Sequence, residues 1–310
     1  MTRRAPLPVA IACLLAATLF WAINYVIGSS VVSRVDPVTL TLLRWCIAVV
    51  PLVVLAQLIE RPDWRAVARR WPMLLAMAVL GMVGYNLTLY WALRFTTPVS
   101  ASLINAINPA LIALVAALLL RERLGWRRVV GMLVGLIGVL LVITRGSFET
   151  LVAREVNPGD LLMILAISVW TGYTLLGRRL HGVPPIASTA AQAALTIAVM
   201  LPVAAVTGIH PPSLPEDVTA IIVIGLLPSV GSYLLWNVAL RRIPASAAGV
   251  FLNLIAVFTV AISVVLGTRV GVPELLGGAL VLGGVALASL GASRRARTPP
   301  GPGDGADQTR

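Results

Sequence analysis

Residues 91–142 read WALRFTTPVSASLINAINPALIALVAALLLRERLGWRRVVGMLVGLIGVLLV, and residues 236–288 read WNVALRRIPASAAGVFLNLIAVFTVAISVVLGTRVGVPELLGGALVLGGVALA. After a one-residue slip the two stretches align at an offset of 146 residues. Pro98 then falls on Pro244, Ser100 on Ser246, Arg123 on Arg269 and Gly125 on Gly271. Gly131 and Gly138 fall on Gly277 and Gly284. Upstream, FWAINY (20–25) matches VWTGYT (169–174), with Trp21 over Trp170. The reading is a duplicated chain, residues 1–150 and 151–292, followed by a Pro/Gly-rich polar tail, 293–310, of a composition that stays disordered.

The repeated unit is apolar throughout. Of the 310 residues 58% are hydrophobic and 12% charged, with a mean hydropathy of +0.93. A soluble domain carries about a quarter charged residues. The apolar residues fall in blocks long enough to cross a bilayer, which takes about 20 residues as a helix. Ten spans fit, near 8–30, 37–59, 72–93, 98–120, 126–144, 160–177, 184–207, 217–240, 245–267 and 273–292. The fold expected is an all-α membrane protein. The first block follows MTRR and superficially resembles a signal peptide, but removing it would spoil the charge pattern.

All 24 basic residues are arginine, which fits a GC-rich bacterial genome and hence a bacterial inner membrane. With the N-terminus placed in the cytoplasm, 18 arginines lie in inside segments and five outside, leaving Arg44 within a span. This positive-inside bias puts both termini in the cytoplasm. The arginines sit between apolar blocks and form no continuous stripe, so the high pI of about 11.3 does not point to nucleic acid. Each half has five spans, an odd number, so the second half enters the membrane inverted. The loops agree: RERLGWRR carries four arginines and its counterpart TRVGVPE one. Inverted repeats of this kind place a substrate site near the midplane, between halves that rock.

The repeated aromatic span followed by AL-R and P-x-S-A, the LLLRERL end of span four and the GxxxGxxG of span five resemble the EamA domain, the building block of the drug/metabolite transporter superfamily. DPVTLTLLRW resembles the start of that domain's second span, which commonly carries an arginine where Arg44 stands. The resemblance implies a secondary transporter, an exporter or exchanger of small organic metabolites such as amino acids, with a small-molecule substrate, the lipid bilayer and protons as a coupling ion as partners. This chain departs from the pattern at Thr268, where an acid is usual, and at Asn108, Ile255 and Ala256, in place of the common EP.

Several residues are candidates for the substrate site. Arg44 is costly at bilayer depth and must snorkel outward, bond to neighbouring helices, or anchor an anionic group of the cargo. Trp21, Asn24 and Tyr25 share one helix face in span one, and Trp170 and Tyr173 hold the matching place in span six. Asn86 and Tyr90 in span three, and Tyr233, Trp236 and Asn237 in span eight, extend the set. Asn105 and Asn108 in span four, and Asn253 in span nine, suit either helix–helix bonding or substrate contact. Pro109 should loosen the backbone turn before it. Gly131, Gly135 and Gly138, with Gly277, Gly278, Gly283 and Gly284, have the spacing of close helix packing. Cys13 and Cys46 read as small buried hydrophobes.

The 12 acids all lie in loops or at span ends, so no carboxylate stands ready as a proton carrier deep in a span. Proton coupling would then use Glu122 or Glu274, the cargo itself, or nothing. There is no HExxH, no GxSxG and no aspartate pair beside a span, which argues against an enzyme, and no cofactor is expected. The alternative within transport is a flippase for a lipid-linked molecule, marked by a lateral opening between spans.

Overall fold

The computed structural model describes residues 6–120, 125–147, 157–240, 242, 243, 248 and 251–295. It is all-helical there, with no strand among the described residues. Helix α1 spans Leu7–Val31 and α2 Pro37–Ile59; a short α3, Trp64–Arg69, lies between α2 and the next long helix. That helix, Trp71–Ala92, consists of α4 (Trp71–Met77), a π-helical stretch (Ala78–Gly84) and α5 (Tyr85–Ala92). Helices α6 (Pro98–Asn105) and α7 (Asn108–Leu120) are separated by a turn, and α8 is Trp126–Ile143. In the second half come α9 (Pro158–Gly177), α10 (Pro185–Thr207) and α11 (Pro215–Leu226). A second π-helical stretch, Leu227–Gly231, leads into α12 (Ser232–Leu240), followed by α13 (Leu254–Val265) and α14 (Val272–Arg295).

Seven of these segments are long and apolar enough to cross a membrane, and Val129–Ile143, Leu254–Val265 and Val272–Leu287 are shorter apolar helices. The chain is a multi-pass membrane protein. Its polarity is distributed accordingly. Leu118, Leu119, Val206 and Val265 are exposed, whereas Arg44, Asn24 and Asn86 are buried. A water-soluble protein buries its large apolar side chains preferentially; here lipid takes the place of water outside.

Helix starts follow local chemistry. Asp36 caps α2, its Oδ1 accepting from the N–H groups of Val38 and Thr39 at 3.0 and 2.9 Å. Thr97 caps α6 and Asn157 caps α9, each just before a proline in the first turn. Pro51 lies inside α2 and Pro202 inside α10.

Packing is reciprocal across the two halves. Helix α1 lies on α12 and α13, while α9 lies on α5 and α6; α2 lies on α10. Gly84, ending one π stretch, faces Val169 of α9, and Gly231, ending the other, faces Phe20 of α1. The most extensive helix pair is α8 with α14. A Cβ on Gly138 would stand 2.6 Å from the carbonyl oxygen of Gly277, and one on Gly284 would stand 2.5 Å from that of Gly131. Only hydrogen fits at these crossings.

The structure corrects several details. The turn at Ala106–Ile107 breaks span four just before Asn108, as Pro109 leads one to expect. Helix α14 continues to Arg295, so the first residues of the 293–310 tail are helical. Cys46 is exposed, on the outward side of α2, and Cys13 only half-buried. Gly283 faces open space and Gly278 faces Leu103, so neither joins the α8 crossing. Glu122, Arg121, Arg123 and most of 244–250 lie outside the described residues.

Candidate functional site

Four helices deliver side chains to one point through the guanidinium of Arg44. This residue sits two turns into α2 and is 4% exposed. Its Nε donates to Ser229 Oγ at 2.6 Å. Its Nη1 donates to Asn86 Oδ1 at 2.7 Å, Tyr90 Oη at 2.8 Å and Asn24 Oδ1 at 3.3 Å. Tyr90 in turn donates to Asn24 Oδ1 at 2.9 Å. The guanidinium does not snorkel. It lies in a polar nest built by α1, α5 and the π stretch of the second half, with the Trp45 ring 5.2 Å away.

The π geometry explains two of the partners. An i→i+5 pattern leaves an extra backbone carbonyl to satisfy. Ser229 Oγ donates to the Ile224 carbonyl at 2.8 Å and so both closes the π turn and accepts from Arg44. Asn86 follows the other π stretch and donates to the Met82 carbonyl at 2.5 Å, which fixes its Oδ1 toward Arg44.

Beside Arg44 lies a cavity of about 90 Å³. Of the candidate residues, Trp21, Asn24, Tyr25, Arg44, Asn86, Asn105, Asn108, Trp170 and Tyr233 line it. Tyr90 is fully buried behind Arg44 and reaches the cavity only through its hydrogen bonds. Trp236 packs on Trp21 with ring centroids 5.6 Å apart, and Tyr173 stacks on Trp170 at 4.8 Å while its ring fills the space left by Gly81. Asn237 is half-buried outside the cavity, with no side-chain hydrogen bond among the described residues.

Sequence reasoning missed Tyr85, Trp45 and Ser229. Tyr85 stands at the centre of the aromatic wall: its ring meets Trp170 at 4.9 Å, and its hydroxyl pairs with Tyr25 at 2.9 Å and donates to Asn105 at 3.4 Å. On the other side Trp21 meets Tyr233 edge-on at 6.0 Å. Each half thus contributes one Trp and one Tyr, and each Trp–Tyr pair joins residues of both halves.

The lining carries unused hydrogen-bonding capacity. Among the described residues Arg44 Nη2, Trp45 Nε1 and Asn253 Oδ1 have no partner. Asn108 accepts from Thr171 at 3.3 Å. Among the described residues no Asp or Glu lines the cavity, and the Arg44 charge is met there by neutral groups. A buried cation with a free donor and no counter-ion is well suited to an incoming anionic group.

The EamA-like transporter family matches this chain twice, over residues 8–144 and 157–290. The chain belongs to that family. It is therefore a transporter of the drug/metabolite transporter superfamily, and its relatives are named as transporters, not enzymes. An uncharacterized transporter of Bacillus subtilis, YyaM, is 36% identical to it over 221 residues, covering 69% of this chain and 72% of the relative. The aromatic amino acid exporter YddG of Ancylobacter novellus is 29% identical over 288 residues, 90% and 96% of the two chains. A Streptantibioticus cattleyicolor protein named "Probable terminal-alkyne amino-acid exporter" is 30% identical over 243 residues, 75% of this chain and 78% of that one. A solved crystal structure shares the fold with a TM-score of 0.68 at 24% identity, over 93% of this EamA-like transporter and all of the other chain.

Proposed function

We propose that this EamA-like transporter exports small organic metabolites, amino acids among them, across a bacterial inner membrane. In this reading ten spans form two inverted five-helix halves, residues 1–150 and 151–292, with both termini cytoplasmic. The halves rock about the Arg44 cavity to expose it alternately to each side. The observation that carries the reading is the Arg44 guanidinium beside the cavity, held by side chains of both halves, with Nη2 unpaired among the described residues. It would take the carboxylate of the cargo, while the Trp21–Tyr233 and Trp170–Tyr85 pairs take its apolar body. An ammonium group finds aromatic faces and the Asn253 Oδ1 acceptor in place of an acid.

At about 90 Å³ the cavity is smaller than the roughly 300–1,000 Å³ of drug-sized sites, so this conformation is a narrowed state that widens on loading. With no carboxylate among the described lining residues, a coupling proton would be carried outside the cavity or by the cargo itself.

Uptake into proteoliposomes of a panel of labelled amino acids, with and without a pH gradient, tests the proposal. Protein-dependent movement of a carboxylate-bearing solute is expected. One observation also favours a flippase of a lipid-linked molecule: the Thr171–Asn108 bond separates the cavity from an apolar groove between α7 and α9. Flipping of a labelled lipid, with no movement of any amino acid, would favour that second reading.

A further inference from the structure

The groove between α7 and α9 has a volume of about 610 Å³, and its lining includes the exposed Leu119 and Ser168. One wall is Leu111, Val115 and Leu119 of α7, at i, i+4 and i+8 and so on one face. The other is α9 from Ser168 to Leu176, where Gly172 leaves room: a Cβ there would come within ordinary contact of Leu80 only. At the end of α9 the groove is closed by Arg178 and Arg179. Both are exposed, and among the described residues neither makes an ion pair or a side-chain hydrogen bond.

We propose that this groove holds one acyl chain of an anionic phospholipid, whose phosphate is bound by Arg178 and Arg179. Length supports it. From Ser168 to Arg178 the helix rises about 15 Å at 1.5 Å per residue, half of a roughly 30 Å hydrocarbon core, which is one leaflet. Charge supports it as well. Arg178 caps the C-terminal end of α9, at the edge of the apolar segment, where headgroup phosphates lie. Two exposed cations there attract net negative charge and distinguish an anionic lipid from a zwitterionic one. A second copy packed symmetrically on this groove would bring its own two arginines to the same rim, like charge against like.

The test is native mass spectrometry of the full chain released from detergent with phosphatidylglycerol or phosphatidylcholine of identical acyl chains. Wild-type protein is expected to retain phosphatidylglycerol in preference to phosphatidylcholine. The double variant Arg178→Gln/Arg179→Gln should lose that retention by on the order of thirtyfold. Gly172→Trp, which fills the groove while keeping both arginines, should also lose it. Equal retention of the two lipids, or undiminished retention by the arginine variant, would overturn the proposal. So would a dimer mass that Gly172→Trp abolishes, since the groove would then be a protein interface. Arg178 and Arg179 are exposed and, among the described residues, make no ion pair or side-chain hydrogen bond, so the arginine variant decides the matter even where Gly172→Trp fails to fold.

Discussion

Arg34 and Asp217, 183 residues apart, form a bidentate ion pair, with Nη2 donating to Oδ1 at 2.6 Å and Nε to Oδ2 at 3.0 Å. The pair ties the loop after α1 to the first turn of α11, and Glu216 adds a longer contact at 3.4 Å. On the same face His210 Nδ1 stands 3.4 Å from Asp36, and its backbone N–H donates to Thr39 at 3.2 Å. At the opposite end of α2, Glu60 accepts from the backbone N–H groups of Ile186 and Ala187, capping α10. Both faces are thus tied across the halves, but only the Arg34–Asp217 face by a salt bridge between side chains among the described residues.

If that ion pair holds one face shut, Asp217→Asn should loosen it. A cysteine placed at Thr39, in protein whose Cys13 and Cys46 are replaced by alanine, should then react severalfold faster with a membrane-impermeant maleimide. Unchanged reactivity would mean that the pair is not part of a closure.

Asp36 predicts an acid limit to stability. Burial raises its pKa, but hydrogen bonds from Thr39, the N–H groups of Thr39 and Val38, and His210 outweigh it and hold the carboxyl below the usual range. A carboxyl depressed in the folded state binds fewer protons folded than unfolded, so its contribution is complete above the unfolded pKa of about 3.9 and is lost as pH falls through the lower folded value. The melting temperature in detergent should therefore drop more steeply below about pH 4 in wild type than in Asp36→Ala, which should be less stable at neutral pH through loss of the cap.

The α8–α14 crossing supplies a matched pair of substitutions. Gly138→Ala puts a methyl group against the Gly277 carbonyl and should cost about 1–3 kcal/mol, read as a lower melting temperature and a poorer folded yield. Gly283→Ala, five residues from Gly278 on the same helix, has nothing within 4 Å and should be neutral or slightly stabilising.

Tyr85→Phe removes the hydroxyl that links Tyr25 to Asn105 while keeping the ring against Trp170. Substrate affinity should weaken by up to about tenfold, in line with about 0.5–1.5 kcal/mol for one hydrogen bond, with expression unchanged. An unaltered affinity would place Tyr85 outside the binding surface.

Helix positions were legible in the sequence because lipid imposes them: α2 begins and ends where the apolar block does, and α1, α9 and α10 lie within two residues of expectation. Trp21, Asn24, Tyr25 and Trp170 were legible because 3.6-residue periodicity marks the face of the first three and the match of FWAINY to VWTGYT sets Trp170 over Trp21. Tyr85 and Ser229 were not. Each belongs to or follows a π-helical stretch, where the face presented shifts and 3.6-residue spacing misassigns it. Arg44 was conspicuous as a charge, but its partners come from three other segments, and a choice between snorkelling and burial depends on contacts that no spacing encodes. Asn237 shows the converse: its position in an aromatic span suggested the cavity, and the helix turns it away.

The central claim is that Arg44 binds the carboxylate of the cargo. The most direct measurement is binding competition in purified protein among phenylalanine, phenylpropionate and phenethylamine, which share a ring and differ in charged groups, repeated in Arg44→Lys and Arg44→Gln. The account predicts that the two carboxylates compete in wild type and the amine does not. It also predicts that Arg44→Lys keeps part of the affinity and Arg44→Gln loses it with the fold retained. Competition by the amine as strong as by the carboxylates, or full affinity in Arg44→Gln, would contradict it.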